Sequence, residues 1–222
     1  MAAPPEMVNA MKCGDLQVVK DEDVYPDSLK RCVVAIGNFD GVHLGHRAVL
    51  DAALDIARGI GAPAVAMTFE PHPRTFFRPD TPLFRLTPAE EKARLIGELG
   101  FKGLVERKFD AAFARMPASS FVYRILGERM RTRHVVAGHD FHFGYRRFGT
   151  PVFLQERCRE MGVEVTLVSP VTDSDGIVVS STRIRQALAT GDMLSAAQLL
   201  GRPWRVCGEV AAGKRIGRTL GF

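Results

Sequence analysis

Residues 36–46 read I-G-N-F-D-G-V-H-L-G-H. An apolar run over 32–36 ends in a glycine-punctuated turn, and a helical pattern opens near Gly45. His43 and His46 stand three apart at that helix start, so they share one face of a turn. The first N–H groups of a helix lack intrahelical partners and carry the positive end of its dipole, which favours phosphate. The spacing predicts two imidazoles turned toward one anionic ligand. A glycine-rich turn with merely solvated histidines is the blander reading, and partner motifs farther along the chain argue against it.

Outward from this stretch, apolar β-branched runs recur at 32–36, 63–69, 103–106, 134–137 and 164–168, with helical patterns between them. Residues 46–58 place Val49, Leu50, Ala53, Leu54 and Ala57 on one stripe. Thr87 reads as an N-cap, with Pro88 at the first helical position and Glu90 completing a capping box. Segments 119–131, 150–161, 181–190 and 192–200 also fit helices. The strand–helix alternation predicts right-handed βαβ units, an α/β, Rossmann-like doubly wound parallel sheet.

The bulk properties suit one sizeable domain, or one plus part of another: 222 residues, 46% hydrophobic, 25% charged and a mean hydropathy of −0.01. A net charge of +5 fits an anionic nucleotide. No long Lys/Arg tract points to nucleic acid. No apolar stretch reaches the length of a bilayer span, and residues 1–15 show no secretory pattern. Cys13, Cys32, Cys158 and Cys207 are scattered without C-x-x-C, as reduced cytoplasmic thiols would be. The expectation is a cytoplasmic protein without membrane or nucleic-acid partners; oligomeric state is left open. Residues 1–24 read as a mobile N-terminal segment and 25–200 as a nucleotide-binding domain. From 201 to 222 the pattern changes: Pro203 breaks the helical period, and strand alternation runs into a Gly/Arg-rich turn, the expected start of a β-rich second domain.

In doubly wound sheets, ligands bind beyond the carboxyl ends of the strands, where strand order reverses. Three glycine- or serine-rich segments follow candidate strands: 37–46, G-H-D-F-H-F-G-Y-R-R-F-G over 138–149, and S-S-T-R-I-R over 180–185. If the first and fourth apolar runs are neighbours, the first two segments share one crevice and the third closes over it. Gly37, Gly41 and Gly45 let backbone approach phosphates closely. Ser181 and Thr182 offer hydroxyls and N–H groups at a helix start, and Arg183 and Arg185 add fork-shaped charge. Asp40 and Asp140 are the carboxylates placed to touch magnesium or a ribose hydroxyl, with Asp40 equally suited to bracing the turn. Phe141, Phe143, Tyr145 and Phe148, and F-E-P-H-P over 69–73, supply either core packing or stacking surfaces. His72, between prolines, is a ligand contact or a structural hydrogen-bonder. His139 and His142 lack further ligands nearby, so no resident metal site is expected.

In their order, I-G-N-F-D-G-V-H-L-G-H, F-E-P-H-P, G-H-D-F-H-F-G and V-S-S-T-R-I-R resemble the bacterial bifunctional riboflavin kinase/FMN adenylyltransferases, or FAD synthetases. The likeness runs over roughly residues 30–222. H-x-G-H with S-S-T-x-I-R marks the wider nucleotidylyltransferase superfamily, and the other two segments narrow it to the flavin enzyme. G-K-R-I-G-R-T-L-G-F at 213–222 resembles the opening of the family's riboflavin kinase module, so 201–222 is expected to be an incomplete kinase domain and riboflavin phosphorylation is expected to be absent.

The resemblance implies that FMN and ATP, with Mg²⁺, give FAD and pyrophosphate, with positioning and charge stabilisation as the means. It implies that His43 and His46 steady the α/β-phosphates, and that Ser181, Thr182 and Arg185 hold the β/γ end. Gly37, Asn38, Phe39, Asp40, Gly45, Asp140, Ser180 and Arg183 belong to the nucleotide site. Phe69, Pro71, His72 and Phe143 belong to the flavin site. Two positions depart from the common pattern: Val178 and His142 stand where arginines are frequent, with Arg146, Arg147 and Arg183 available as substitutes for the first. The competing readings are a nucleotidylyltransferase for another phosphate acceptor and a catalytically idle flavin/nucleotide-binding module.

Overall fold

A computed structural model describes residues 12–13, 15–81 and 83–206. In chain order come strands β1 (Lys12–Cys13), β2 (Leu16–Lys20) and β3 (Val33–Ile36), helix α1 (Leu44–Gly59), β4 (Ala64–Glu70), α2 (Pro73–Phe77), α3 (Ala89–Glu98) and β5 (Gly103–Lys108). There follow α4 (Ala111–Ala114), α5 (Ala118–Ser120), β6 (His134–Gly138), α6 (Pro151–Glu160), β7 (Glu164–Val168), α7 (Ser181–Ala189) and α8 (Met193–Leu200). Helix α5 continues as a π-helical stretch, Phe121–Arg129, where the segment 119–131 was expected to be helical.

All five apolar runs are strands. They lie in one seven-stranded sheet of order β1-β2-β5-β4-β3-β6-β7, parallel throughout except for β1. The inner strands β3, β4 and β6 carry near-continuous apolar runs because helices cover both faces, with Thr68, Glu70 and His134 as the polar positions. Alternate residues divide between them. Val34, Ile36, Val65, Met67 and Val135 pack with Phe121, Leu126, Leu154 and Cys158 on the face of the π-helical stretch and α6. Val33, Ala35, Ala64, Ala66 and Val136 pack with Leu50, Ala53, Ala57 and Ile96 of α1 and α3 on the other. Alanine on strand and helix alike gives α1 a close approach to the sheet. A smaller third cluster joins Leu86, Val179, Ile184, Ala196, Leu199 and Leu200, so α7 and α8 pack on the segment that precedes α3.

The adjacency of the first and fourth runs holds: β3 pairs with β6 from Val33↔His134 to Ile36↔Ala137. Strand order reverses at this pair, since β4 and β5 lie on one side of β3 while β6 and β7 lie on the other. The crevice beyond Ile36 and Gly138 is therefore the switch point of the sheet.

Two expectations change. Residues 16–20, placed in the mobile N-terminal segment, form β2, which pairs in parallel with β5 and buries Leu16 and Val19. The run is short and its neighbours are polar, which hid it from periodicity. Thr87 does not cap α3. Pro88 holds the N-cap position without a side-chain bond, and the Thr87 hydroxyl is used elsewhere, as described below. The tail motif over 213–222 lies outside the described residues. No helix of the described residues is long and apolar enough to cross a membrane.

Strand β2 carries the first prediction. Leu16→Ala should destabilise the protein by about 2–5 kcal/mol, seen as a lower urea midpoint at unchanged slope. A variant as stable as the parent would return residues 16–20 to a mobile segment.

Candidate active site

Helix α1 begins where the β3 chain turns at the switch point. His43 is its N-cap: the ring Nδ1 accepts the His46 N–H at 3.3 Å. That bond makes Nδ1 an acceptor and leaves the proton of the neutral ring on Nε2. The His46 ring stacks on it, with centroids 3.6 Å apart and planes 18° apart. Burial pushes His43 down to about 4, against the pull of Asp40. Burial, then the neighbouring His43, holds His46 well below the usual histidine range. The pair is thus neutral at physiological pH and offers N–H donors without net charge. His46 Nδ1 is buried and has no hydrogen-bond partner among the described residues.

The second helix start meets the first. Ser180 caps α7, accepting the Arg183 N–H at 3.4 Å. Ser181 Oγ donates to the Asp40 carbonyl at 2.8 Å. A Cβ on Gly45 would stand 3.2 Å from the His43 ring and 3.4 Å from the Val179 carbonyl, so glycine lets the two loops touch. The positive ends of α1 and α7 therefore converge on one place.

A buried carboxylate holds the loops together. Asp40 is 1% exposed. Its Oδ1 accepts from Leu86 N at 3.0 Å, Thr87 N at 3.1 Å and Thr87 Oγ1 at 3.4 Å. Its Oδ2 is paired with Arg185. Thr87 Oγ1 in turn accepts the Gly41 N–H at 2.9 Å. A second set of buried charges stands beside it. Glu70 binds Arg85 through two hydrogen bonds, of 2.9 and 2.8 Å, and Lys92 at 2.8 Å. Lys92, wholly buried, also donates to Thr68 Oγ1 at 2.9 Å, and Thr68 donates to the Asn38 carbonyl at 3.0 Å. Burial by itself raises the Glu70 carboxyl, but Arg85 and Lys92 outweigh it and hold it at about 2. From beyond α8, Arg202 donates to the Gly41 carbonyl at 2.8 Å, and Trp204 Nε1 to the Leu86 carbonyl at 3.0 Å.

These parts surround a cleft of about 990 Å³. Five of the chain's six histidines line it: His43, His46, His72, His139 and His142. So do Arg74, Arg146, Arg147 and Arg185, while Asp140 is the one carboxylate there among the described residues. The cleft is built for anions. Its far wall is aromatic. Rings run from Phe77 through Phe109, Phe113, Phe121 and Phe143 to Phe141, with successive centroids 5.1–6.2 Å apart.

A family model, FAD synthetase, matches residues 25–183. The chain belongs to the FAD synthetase family. It is 39% identical over 191 residues to the bifunctional riboflavin kinase/FMN adenylyltransferase of Escherichia coli K12, covering 86% of this chain and 61% of that protein. Its identity to the Pseudomonas fluorescens protein of the same name is 42% over 190 residues, covering 86% and 60%. The chain thus spans about three fifths of the length of these curated relatives. A crystal structure named as a macrolide-efflux protein from Streptococcus pneumoniae superposes with a TM-score of 0.79 at 31% identity, covering 92% of this chain and 66% of that one.

The cleft gathers most of the residues picked from the sequence; Asp40, Gly41, Pro71, Phe148 and Arg183 lie outside its lining. Asp40 is consumed by the protein and acts as the brace. Arg183 turns back on its own loop, donating to the Ile177 and Val178 carbonyls at 3.0 Å and pairing with Asp173. Pro71 is exposed at the end of β4, outside the lining. Phe69 and Phe143 reach the cleft from the apolar core, with most of their surface packed there. His72 lines the cleft and also caps α2, accepting the Arg74 N–H at 3.1 Å. Sequence reasoning missed Thr68, Arg85 and Lys92, and the rings of Phe77, Phe109 and Phe113. One signal was available: Lys92 falls on the stripe of α3 with Ala89, Ala93 and Ile96, where a solvated lysine does not belong.

Asp40→Ala should cost about 3–5 kcal/mol in urea or thermal unfolding, because Arg185 loses its partner in a half-buried place. A loss under about 1 kcal/mol, the range of a surface pair, would refute the bracing role. The histidines set a pH dependence. His43 and His72 are both held at about 4, below their unfolded value of 6.5. The unfolded chain therefore binds protons first, and stability is whole above about pH 6.5 and falls as pH drops toward 4. Urea titrations at pH 7, 5.5 and 4.5 should show that fall, and His72→Gln should flatten it; an unchanged slope in the variant would contradict the assignment.

Proposed function

We propose that the chain transfers the adenylyl group of ATP to FMN, giving FAD and pyrophosphate. The observation that carries this reading is the meeting of two helix starts, one bearing stacked neutral imidazoles and the other Ser180–Ser181, in a cleft whose opposite wall is a row of aromatic rings. The first pole suits a triphosphate and the second a tricyclic flavin. A sugar, pantetheine or nicotinamide acceptor makes less use of such a wall.

An oxygen of the FMN phosphate attacks the α-phosphorus of ATP. The new P–O bond forms as the bond from the α-phosphorus to its bridging oxygen breaks, and pyrophosphate leaves with that electron pair. The protein's share is positioning and charge stabilisation. His43 presents Nε2–H, and His46 a further donor, to oxygens of the reacting phosphates. Being neutral, the rings donate without trapping the product as a fixed cation would. Thr182 and the N–H groups opening α7 take the departing pyrophosphate, with Arg185 behind them. Ser181 has its proton committed to the Asp40 carbonyl and holds the loops in register.

ATP enters as its magnesium complex. Asp140 is exposed at the rim, and a Cβ on Gly138 would stand 3.2 Å from its Oδ1, so the glycine keeps that carboxylate free to meet a hydrated cation. Bound there, magnesium supplies charge neutralisation for the leaving group. Two buried, unpaired thiols, Cys32 and Cys158, support the cytoplasmic placement.

The test is to incubate the chain with FMN, ATP and magnesium and to separate flavins by chromatography. FAD should accumulate, and His46→Ala should slow its formation about a hundred- to a thousandfold, a barrier increase of roughly 3–4 kcal/mol, with folding intact by circular dichroism. FMN binding without FAD formation would leave only an idle flavin module. Adenylylation of a different phosphate acceptor in preference to FMN would move the chain to another substrate.

A further inference from the structure

Two anions must come together in this cleft, and most of its positive groups are already spent. The imidazoles of His43, His46 and His72 are neutral, since burial holds each far below the usual histidine range. Arg185 is balanced by Asp40. Arg183, one of the three arginines available in place of Val178, is bound to Asp173 and faces its own loop. The lining arginines with no carboxylate partner among the described residues are Arg74, Arg146 and Arg147. Arg74 lies on α2, near enough to Arg185 for its charge to lower the Arg185 pKa.

Arg146 and Arg147 sit in a loop that is held with unusual firmness for an exposed segment. Phe143 and Gly149 close it by reciprocal hydrogen bonds of 3.0 and 2.9 Å. Tyr145 N donates to the Met116 carbonyl at 2.7 Å. Gly144 has φ +71, and a Cβ there would fall 2.7 Å from the Ala118 backbone, so the loop is seated hard against the start of α5. Within it, both arginines have left-handed backbone, at φ 52 and 61. Two consecutive non-glycine residues in that region are strained, and such strain persists only where the surroundings enforce it. The segment that leads into it starts from Gly138, beside β6's neighbour β3 and the turn that follows β3, and reaches the aromatic wall at Phe143, where the arginine loop opens. The arginine loop therefore adjoins the aromatic pole and is tied by this segment to the other.

We propose that the loop over 143–149 is the subsite for the acceptor's phosphomonoester, with Arg146 and Arg147 supplying the charge that lets a dianion approach a triphosphate. It rests on the flavin adenylylation reading and adds to it a basis for telling the phosphorylated flavin from the unphosphorylated one. A phosphomonoester carries about −1.5 to −2 at pH 7, and guanidinium groups meet such an anion through paired N–H donors.

The experiment compares two probes, FMN and riboflavin, by quenching of flavin fluorescence on the parent chain and on Arg146→Ala, Arg147→Ala and the double variant. Both side chains are exposed, so the variants should fold as the parent does, which circular dichroism checks. Each single change should weaken FMN about tenfold and the double change more, while riboflavin affinity stays within about twofold. In turnover, the KM for FMN should rise and that for ATP should hold. Equal weakening of both flavins would show that the loop merely shapes the wall, and a rise confined to the KM for ATP would assign the arginines to the triphosphate; either overturns the proposal. A parent chain that binds neither flavin overturns the flavin reading itself, and the subsite with it.

Discussion

One buried carboxylate organises this site. Asp40 sits in the turn after the central strand, cannot reach water, and spends its oxygens on two backbone N–H groups before α3, the Thr87 hydroxyl and the guanidinium of α7. A carboxylate in such a place is tolerated only when hydrogen-bonded and paired. Satisfying it forces three segments, remote in the chain, into one arrangement. The arrangement puts the first N–H groups of α1 and α7 side by side. The anion site is in this sense a by-product of neutralising Asp40. The Glu70–Arg85–Lys92 set extends the same logic to the ends of β4 and α3, and through Thr68 to the carbonyl of Asn38.

The two poles of the cleft follow opposite rules. Near Asp40, positive groups are either neutral or already matched, so a phosphate there is met by aligned donors whose dipoles need not reorganise. On the aromatic side, the wall is an extension of the apolar core that reaches the surface: Phe121 and Phe143 pack beneath, while Phe77 and Tyr145 stand exposed. The fold thus needs no separate scaffold for flat ligands.

The sheet was legible because its inner strands carry near-continuous apolar runs separated by clean helical periods. The order of strands was legible only as a condition, since periodicity does not say which strands are neighbours. The loops beyond β3, β6 and β7 declared themselves through glycines, histidines and serines, whose presence in a turn asks for a ligand. Arg183 and Arg185 show the limit. Two positions apart on one helix, they face different partners, and nothing in S-S-T-R-I-R distinguishes the one that turns back to Asp173 from the one that supports the site. The charges beneath the site were hidden for another reason. Glu70 and Lys92 are separated by 22 residues, and only the folded chain pairs them. Strand β2 was hidden by its brevity and its polar flanks.

The short stretch beyond α8 has a practical meaning. Arg202 and Trp204 cover carbonyls of Gly41 and Leu86, on the very segments that Asp40 ties together, and Gly201 turns the chain toward them with a left-handed backbone. A boundary drawn where the helical period stops, at Leu200, would strip one donor from the turn before α1 and one from the segment before α3. An excised domain must carry these residues, and a protein fused just after them would pull directly on the turn that opens α1.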